Sequence, residues 1–257
     1  DEDPTSGDLP RRPIEYGCGG GVVWDSQLDE EYAECLTKAR VVTEMQRQFS
    51  LLETMLARRG GIFLLRYHLD RLERAAKFFG YPIDRLAIET SLRKYATDTA
   101  SGSKRFRVRL LLAEDGKAAL ESTRIERAKN RTQAEPWKIA VAPWPVDSTN
   151  PFLQYKTTHR DVYRQAIDES PECDDVLLYN ERGEVTECTI TNIVAQIDGR
   201  FLTPPVDAGL LDGTFRRLLV ERGRVDVARL TVDDIRRADR LFLINSVRGI
   251  IPARLTD

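Results

Sequence analysis

From residue 50 onward the chain alternates between two hydrophobic periods, and the changes of period mark its elements. Leu51 to Ala57 and Gly61 to Leu65 are apolar runs around Arg58-Arg59-Gly60, which predicts a hairpin. Leu69, Leu72, Ala75, Ala76 and Phe79 then recur at helical spacing, and Gly80 and Pro82 follow as stop signals. A second helix is expected from Asp84 to Ala96. Arg105 to Ala113 and Ala118 to Ile125 flank Glu114-Asp115-Gly116-Lys117, a second hairpin. The polar stretch from Ala128 to Pro136 reads as a linker. Beyond it the pattern predicts a strand Trp137 to Ala142, a loop to Tyr155 and a helix Thr158 to Asp168. Strands follow around Val176, Ile193 and Phe201. A helix Thr214 to Arg222 is closed by Gly223; a short helix Thr231 to Arg237 and a buried strand Leu241 to Ile244 come last. Ahead of residue 50, Ile14 to Trp24 reads as a glycine-interrupted strand. Ser26 with Asp29 then caps a helical stripe from Leu28 to Val42. This front piece is too small to bury its own apolar face. Interspersed strands and helices give a mixed α/β (α+β) fold in two subdomains.

Composition narrows the classes. At 257 residues, 41% hydrophobic and 31% charged, the chain can bury a real core. A net charge of -2 offers no basic field for nucleic acid. No apolar run approaches the roughly 20 residues of a membrane helix. The acidic start, Asp-Glu-Asp-Pro, has no hydrophobic segment and is no secretory signal. The four cysteines have neither metal nor disulfide spacing, so reduced thiols in a cytoplasmic protein are expected. With only His68 and His159, neither a zinc site nor a Ser-His-Asp triad is easily built, and no metal site is expected.

One ordered set of residues carries chemistry. Lys156 lies in Tyr155-Lys156-Thr157-Thr158-His159-Arg160, just ahead of a helical pattern. Alone it would be a surface lysine. A lysine that forms an imine must be neutral part of the time, which needs burial or a positive neighbour such as Arg160. Glu187 follows in Val185-Thr186-Glu187-Cys188. Glu184 and Glu187 are three apart, so a strand turns them to opposite faces, and Glu184 is expected to face solvent. Gly213-Thr214 opens a helix, whose first amides suit a phosphate; Ser246 follows the last buried strand. An amine, a carboxylate and such amides suit pyridoxal phosphate: aldehyde, ring nitrogen and phosphate. Arg71 sits at the edge of its helix's apolar stripe, placed either to clamp a phosphate or to pair with Asp70 or Glu73. Arg105, Arg107 and Arg109 share one strand face, and at least one is expected to reach an anionic substrate.

From about Ser50 to its end the chain resembles the class IV aminotransferases, the fold-type IV pyridoxal phosphate enzymes. The likeness rests on His68-Leu69-Asp70-Arg71-Leu72, Lys156, Val185-Thr186-Glu187 with Asn192-Ile193, Gly209-Leu210-Leu211-Asp212-Gly213-Thr214, and Asn245-Ser246. It implies Lys156 as the cofactor lysine and Glu187 as the partner of the ring nitrogen. It also implies Arg71, Gly213, Thr214 and Ser246 as phosphate contacts. Arg248, Arg107, Thr54 and His159 are the expected substrate contacts. Gly19-Gly20-Gly21-Val22-Val23-Trp24-Asp25-Ser26, with Glu34 and Lys38 further on, looks like the C-terminal end of chorismate-utilising enzymes. Most of that domain is absent, so no magnesium site is expected. The expected boundaries are 1–44 for this remnant, 45–130 for a small subdomain and 131–257 for a large one. A chorismate-enzyme tail joined to a class IV domain resembles fused aminodeoxychorismate synthase–lyase proteins. The resemblance implies a lyase that makes 4-aminobenzoate and pyruvate. The alternatives are a transaminase of branched-chain or D-amino acids, and a non-catalytic fragment. A homodimer is implied, with a glutamine amidotransferase or chorismate-binding subunit as a further candidate partner.

Overall fold

The structure is a computed structural model that describes residues 49–100, 102–126 and 135–256. The expected front strand and helix, with Glu34 and Lys38, lie outside the described residues. The described chain belongs to one compact unit that begins at Phe49.

Two sheets organise that unit. The smaller is antiparallel, in the order β2-β1-β3-β4. It is built from β1 (Leu51–Arg58), β2 (Gly61–Ile62), β3 (Arg105–Leu112) and β4 (Ala118–Arg124). Alternation on β1 and β3 turns Leu51, Met55, Ala57, Val108, Leu110 and Leu112 toward one core. That core is completed by helices α1 (Leu65–Phe79) and α2 (Arg85–Thr99) through Leu69, Leu72, Ile88 and Leu92. The opposite face carries Leu52, Thr54 and Leu56, with Thr54 paired across from Arg109 and Leu56 from Arg107. β1 is therefore covered on both faces, which is why its sequence is a continuous apolar run.

The caps of α1 explain its limits. Gly80 closes it at φ 75°, its N–H returning to the Ala76 carbonyl. At the other end Leu64 takes a left-handed turn at φ 59°. That turn stops the expected strand at Ile62, three residues short of Leu65.

The larger sheet has the order β10-β9-β8-β11-β12-β5-β6-β7. Its strands are β5 (Trp137–Val141), β6 (Asp175–Tyr179), β7 (Val185–Cys188), β8 (Asn192–Ile197), β9 (Arg200–Thr203), β10 (Asp226–Val227), β11 (Arg240–Asn245) and β12 (Gly249–Leu255). Helices α3 (Pro151–Gln154), α4 (Asp161–Asp168), α5 (Thr214–Glu221) and α6 (Val232–Arg237) connect them. Ile139, Leu177, Ile193, Leu243 and Ile235 share its main core. None of the described helices is long and apolar enough to cross a membrane.

One correction bears on function. The helix expected from Thr158 starts only at Asp161. Residues ahead of it are extended and joined to β1. Leu52 N–H donates to the Lys156 carbonyl at 2.9 Å, and Thr158 N–H to the Ser50 carbonyl at 2.9 Å. The backbone of Lys156 is thus pinned to the small sheet, in a segment whose side chains gave no strand signal.

Candidate active site

A cleft of about 400 Å³ runs along the face of β1 and β3 that carries Leu52 and Thr54, and collects most of the expected residues. Thr54, Arg71, Arg107, Lys156, Glu187, Gly213, Thr214, Ser246 and Arg248 all line it. His159 does not. Its ring packs on Phe152 at 4.2 Å between centroids and its Nε2 lies 3.9 Å from Asp161, so the expected substrate contact is spent elsewhere.

Lys156 is half-buried, and its amine is pushed down to about 7 by desolvation, then by Arg160 and Arg71; Glu53 and Glu187 oppose the shift. Half the population is therefore neutral near pH 7, the state a nucleophilic amine needs. Arg160, the positive neighbour expected from the sequence, is fixed by two contacts. It donates to the Thr189 carbonyl at 2.5 Å and lies 4.3 Å over the Tyr163 ring.

Glu187 is 5% exposed, on a strand whose four residues are all buried. Burial raises its carboxyl to about 7, against the pull of Tyr163, Leu211, Lys156 and Arg160. Tyr163 donates to Oε1 at 2.8 Å, Leu211 N–H to Oε1 at 3.2 Å, and Asn192 to Oε2 at 3.1 Å. Glu184 instead binds Asn180, Arg182 and Arg229 near the surface, as the face argument requires.

Arg71 pairs with neither Asp70 nor Glu73, because Arg85 takes both. It makes a two-pronged pair with Glu53, at 2.8 and 2.6 Å, and donates to the Asp212 carbonyl at 3.2 Å. Burial would raise the Glu53 carboxyl, but Arg71 and His68 outweigh it and hold it at about 2. His68 Nδ1 lies 2.6 Å from Glu53, and its Nε2 3.3 Å from the Thr214 hydroxyl. Burial pushes the imidazole down, so the neutral ring donates to Glu53 and accepts from Thr214. This buried chain orients both Arg71 and Thr214, and the sequence gave no sign that Glu53 was its centre.

The start of α5 is shaped to admit an anion. Gly213 is its N-cap and offers no side chain, so the first amides of the helix stay uncapped. A Cβ on Gly213 would fall 1.8 Å from the Asn192 side-chain oxygen, so only glycine fits. Gly209, at φ 92°, passes so near Ser148 that a Cβ would meet its Cα at 2.5 Å. These close approaches set the loop that carries Leu211 N–H to Glu187. A partly neutral, desolvated lysine, a buried carboxylate and an uncapped helix start with two hydroxyls fit pyridoxal phosphate at its aldehyde, ring nitrogen and phosphate.

Tyr163 and Asn192, which line the cleft, and Glu53, which pairs with Arg71, are site residues that the sequence reading did not assign. Asn192 stood inside a recognised motif; the others touch the site only through folding. No group of metal-binding side chains occurs among the described residues.

Known proteins resemble this chain over most of its length. The profile of the family Amino-transferase class IV matches residues 50–255. A Schizosaccharomyces pombe protein, provisionally named aminodeoxychorismate lyase, is 33% identical over 74% of this chain and 83% of its own length. A Thermotoga maritima protein, provisionally named branched-chain-amino-acid aminotransferase, is 28% identical over 82% of this chain and 78% of its own. The crystal structure of a Mesorhizobium loti protein, provisionally named amino-acid aminotransferase, superimposes with a TM-score of 0.73 at 37% identity, covering 81% of this chain and 100% of that one.

Proposed function

The chain belongs to the class IV aminotransferases, pyridoxal phosphate enzymes acting on small molecules, and we propose that within them it is an aminodeoxychorismate lyase. The observation that carries the proposal is the charge of the cleft. Arg107, Arg109, Arg160 and Arg248 line it beside Lys156 and Arg71, and Glu187 is the only carboxylate among the described lining residues. Arg71 is neutralised by Glu53, and Arg109 by Glu121 at 2.9 Å. Arg107 has no ion-pair partner among the described residues. This surplus exceeds what one phosphate and one carboxylate require, and suits a substrate with two carboxylates. 4-Amino-4-deoxychorismate is such a substrate. The name of the yeast relative supports the same reading.

In this reading Lys156 would hold the cofactor's aldehyde and Glu187 its ring nitrogen. Thr214, Ser246, Arg71 and the α5 amides from Gly213 would hold its phosphate. When bound, the cofactor supplies an electron sink for a carbon that loses a proton. The amine of Lys156 takes that proton from the ring carbon bearing the substrate amino group. The electron pair then forms the ring double bond as the neighbouring carbon–oxygen bond breaks. The enolpyruvyl group leaves, gains a proton and becomes pyruvate; the ring becomes 4-aminobenzoate. The Thr54 hydroxyl lines the cleft and is placed to give that proton, whereas His159 lies outside the cleft. Arg107 and Arg248 hold the two carboxylates. The protein works as a homodimer, open to a glutamine amidotransferase or chorismate-binding partner that supplies its substrate, in the cytoplasm.

A transaminase is the second reading. Leu52, Ile190, Ile244 and Val247 also line the cleft and suit an aliphatic side chain. The experiment follows the two products of 4-amino-4-deoxychorismate and, separately, amino transfer from leucine to 2-oxoglutarate. Pyruvate and 4-aminobenzoate in equal amounts, lost in Lys156→Ala, are expected. Full pyruvate release by Lys156→Ala, or amino transfer without elimination, would refute the lyase.

A further inference from the structure

Asp175 opens β6, is 2% exposed, and has no part in the chemistry described above. Three of the four hydrogen bonds to its carboxylate come from the turn between β7 and β8. Thr189 and Thr191 donate their hydroxyls at 2.5 and 2.8 Å, and Ile190 its N–H at 3.3 Å; Val176 N–H completes the set at 3.0 Å. Thr189, Ile190 and Thr191 form one wall of the cleft. The Thr189 carbonyl is the acceptor for Arg160. Arg160 in turn covers the ring of Tyr163, whose hydroxyl holds Glu187.

We propose that Asp175 is a positioning residue for the lysine site: by clamping the Thr189–Thr191 turn it fixes the carbonyl that tethers Arg160, and so holds that guanidinium beside Lys156. The inference rests on Lys156 being the cofactor lysine. Its logic is mechanical. A buried carboxylate with four donors holds a short turn more firmly than hydroxyls alone, since hydrogen bonds to a charged acceptor are the strong ones. An arginine on a long flexible stem keeps its distance to a neighbour only if its acceptor is fixed.

The groups facing Lys156 are Glu53 from β1, His68 and Arg71 from α1, Arg160 ahead of α4 and Glu187 from β7, and His68 is held by Glu53. Of these, Glu53 and Arg71 are locked to each other, and Glu187 has its own three donors. Arg160 is the one whose position depends on the turn. Its release would withdraw a positive charge from the amine and raise the pH at which Lys156 becomes neutral.

The test uses the full chain without cofactor. Covalent capture of pyridoxal phosphate is followed by visible absorbance, and its rate is measured from pH 6 to 9 in wild type, Asp175→Ala, Arg160→Met and the double variant. Wild type should reach half its limiting rate near pH 7. Asp175→Ala and Arg160→Met should each move that midpoint upward by about one unit, the usual effect of losing a neighbouring charge. The double variant should move no further than Arg160→Met, because both changes remove the same contact. Asp175→Asn, which keeps one acceptor oxygen, should shift less. Thr189→Val, a milder change, should shift upward even if Asp175→Ala does not fold. An unmoved midpoint in both Asp175→Ala and Thr189→Val, or shifts that add in the double variant, would overturn the inference and leave the lysine assignment intact. No capture by wild type at any pH would overturn the assignment and the inference together.

Discussion

At the scale of single residues, the site is defined by two groups held away from their ordinary charge states. Lys156 and Glu187 are both poised near 7, each chiefly by burial. Tyr163→Phe removes the hydroxyl from Glu187 Oε1 and leaves a buried carboxylate with fewer donors. The expected loss is about 1–3 kcal/mol of stability at pH 8, where Glu187 is ionised, shrinking toward pH 5; paired urea denaturations measure it. Glu187→Gln keeps the shape and removes the charge. It should leave covalent capture of pyridoxal phosphate intact but slow turnover by about 100-fold, since an amide cannot hold the ring nitrogen protonated; a single-turnover assay separates the two. Lys156 itself was visible in the sequence because Glu187, Gly213-Thr214 and Ser246 follow it in order. Tyr163 was not, because it lies on the apolar stripe of α4 and meets Glu187 only across the fold.

At the scale of elements, legibility followed periodicity. α1 was readable to its last residue because Leu69, Leu72, Ala75 and Ala76 form one stripe and Gly80 supplies the left-handed cap. The β3–β4 hairpin was readable because alternation and an Asp-Gly turn agree. β7 is short and buried throughout, so it carries no alternation, and β10 has only two residues. The early start given to α4 failed because Thr157 and Thr158 pair with β1, a contact about a hundred residues away in sequence. Gly213 shows how an element's end can serve chemistry. Gly213→Ala would press a methyl into Asn192 and disturb both Glu187 and the uncapped amides of α5. Affinity for pyridoxal phosphate should fall by at least about tenfold, a cost of about 1.4 kcal/mol, read by absorbance titration.

At the scale of the whole molecule, the site costs the apoprotein stability, and the cost depends on pH. Lys156 has its folded value depressed from 10.5 to about 7. Its contribution is therefore complete above 10.5 and is lost as pH falls toward 7, because the unfolded chain binds the proton more tightly. Wild type should gain roughly 2 kcal/mol more than Lys156→Met between pH 7 and pH 9, measured by urea denaturation. Glu187 works in the opposite sense: raised from 4.5 to about 7, it withdraws stability as pH rises through that window. The two sheets meet this cost from separate cores, one under α1 and α2 and one around Ile139 and Leu243. The cleft between their contributions is where the cofactor would repay it. The most direct measurement is a visible absorbance spectrum of the purified protein with pyridoxal phosphate, beside Lys156→Ala. A band in wild type that is absent in the variant is the predicted result. A folded wild type with no band, or a band that survives in Lys156→Ala, would contradict the account.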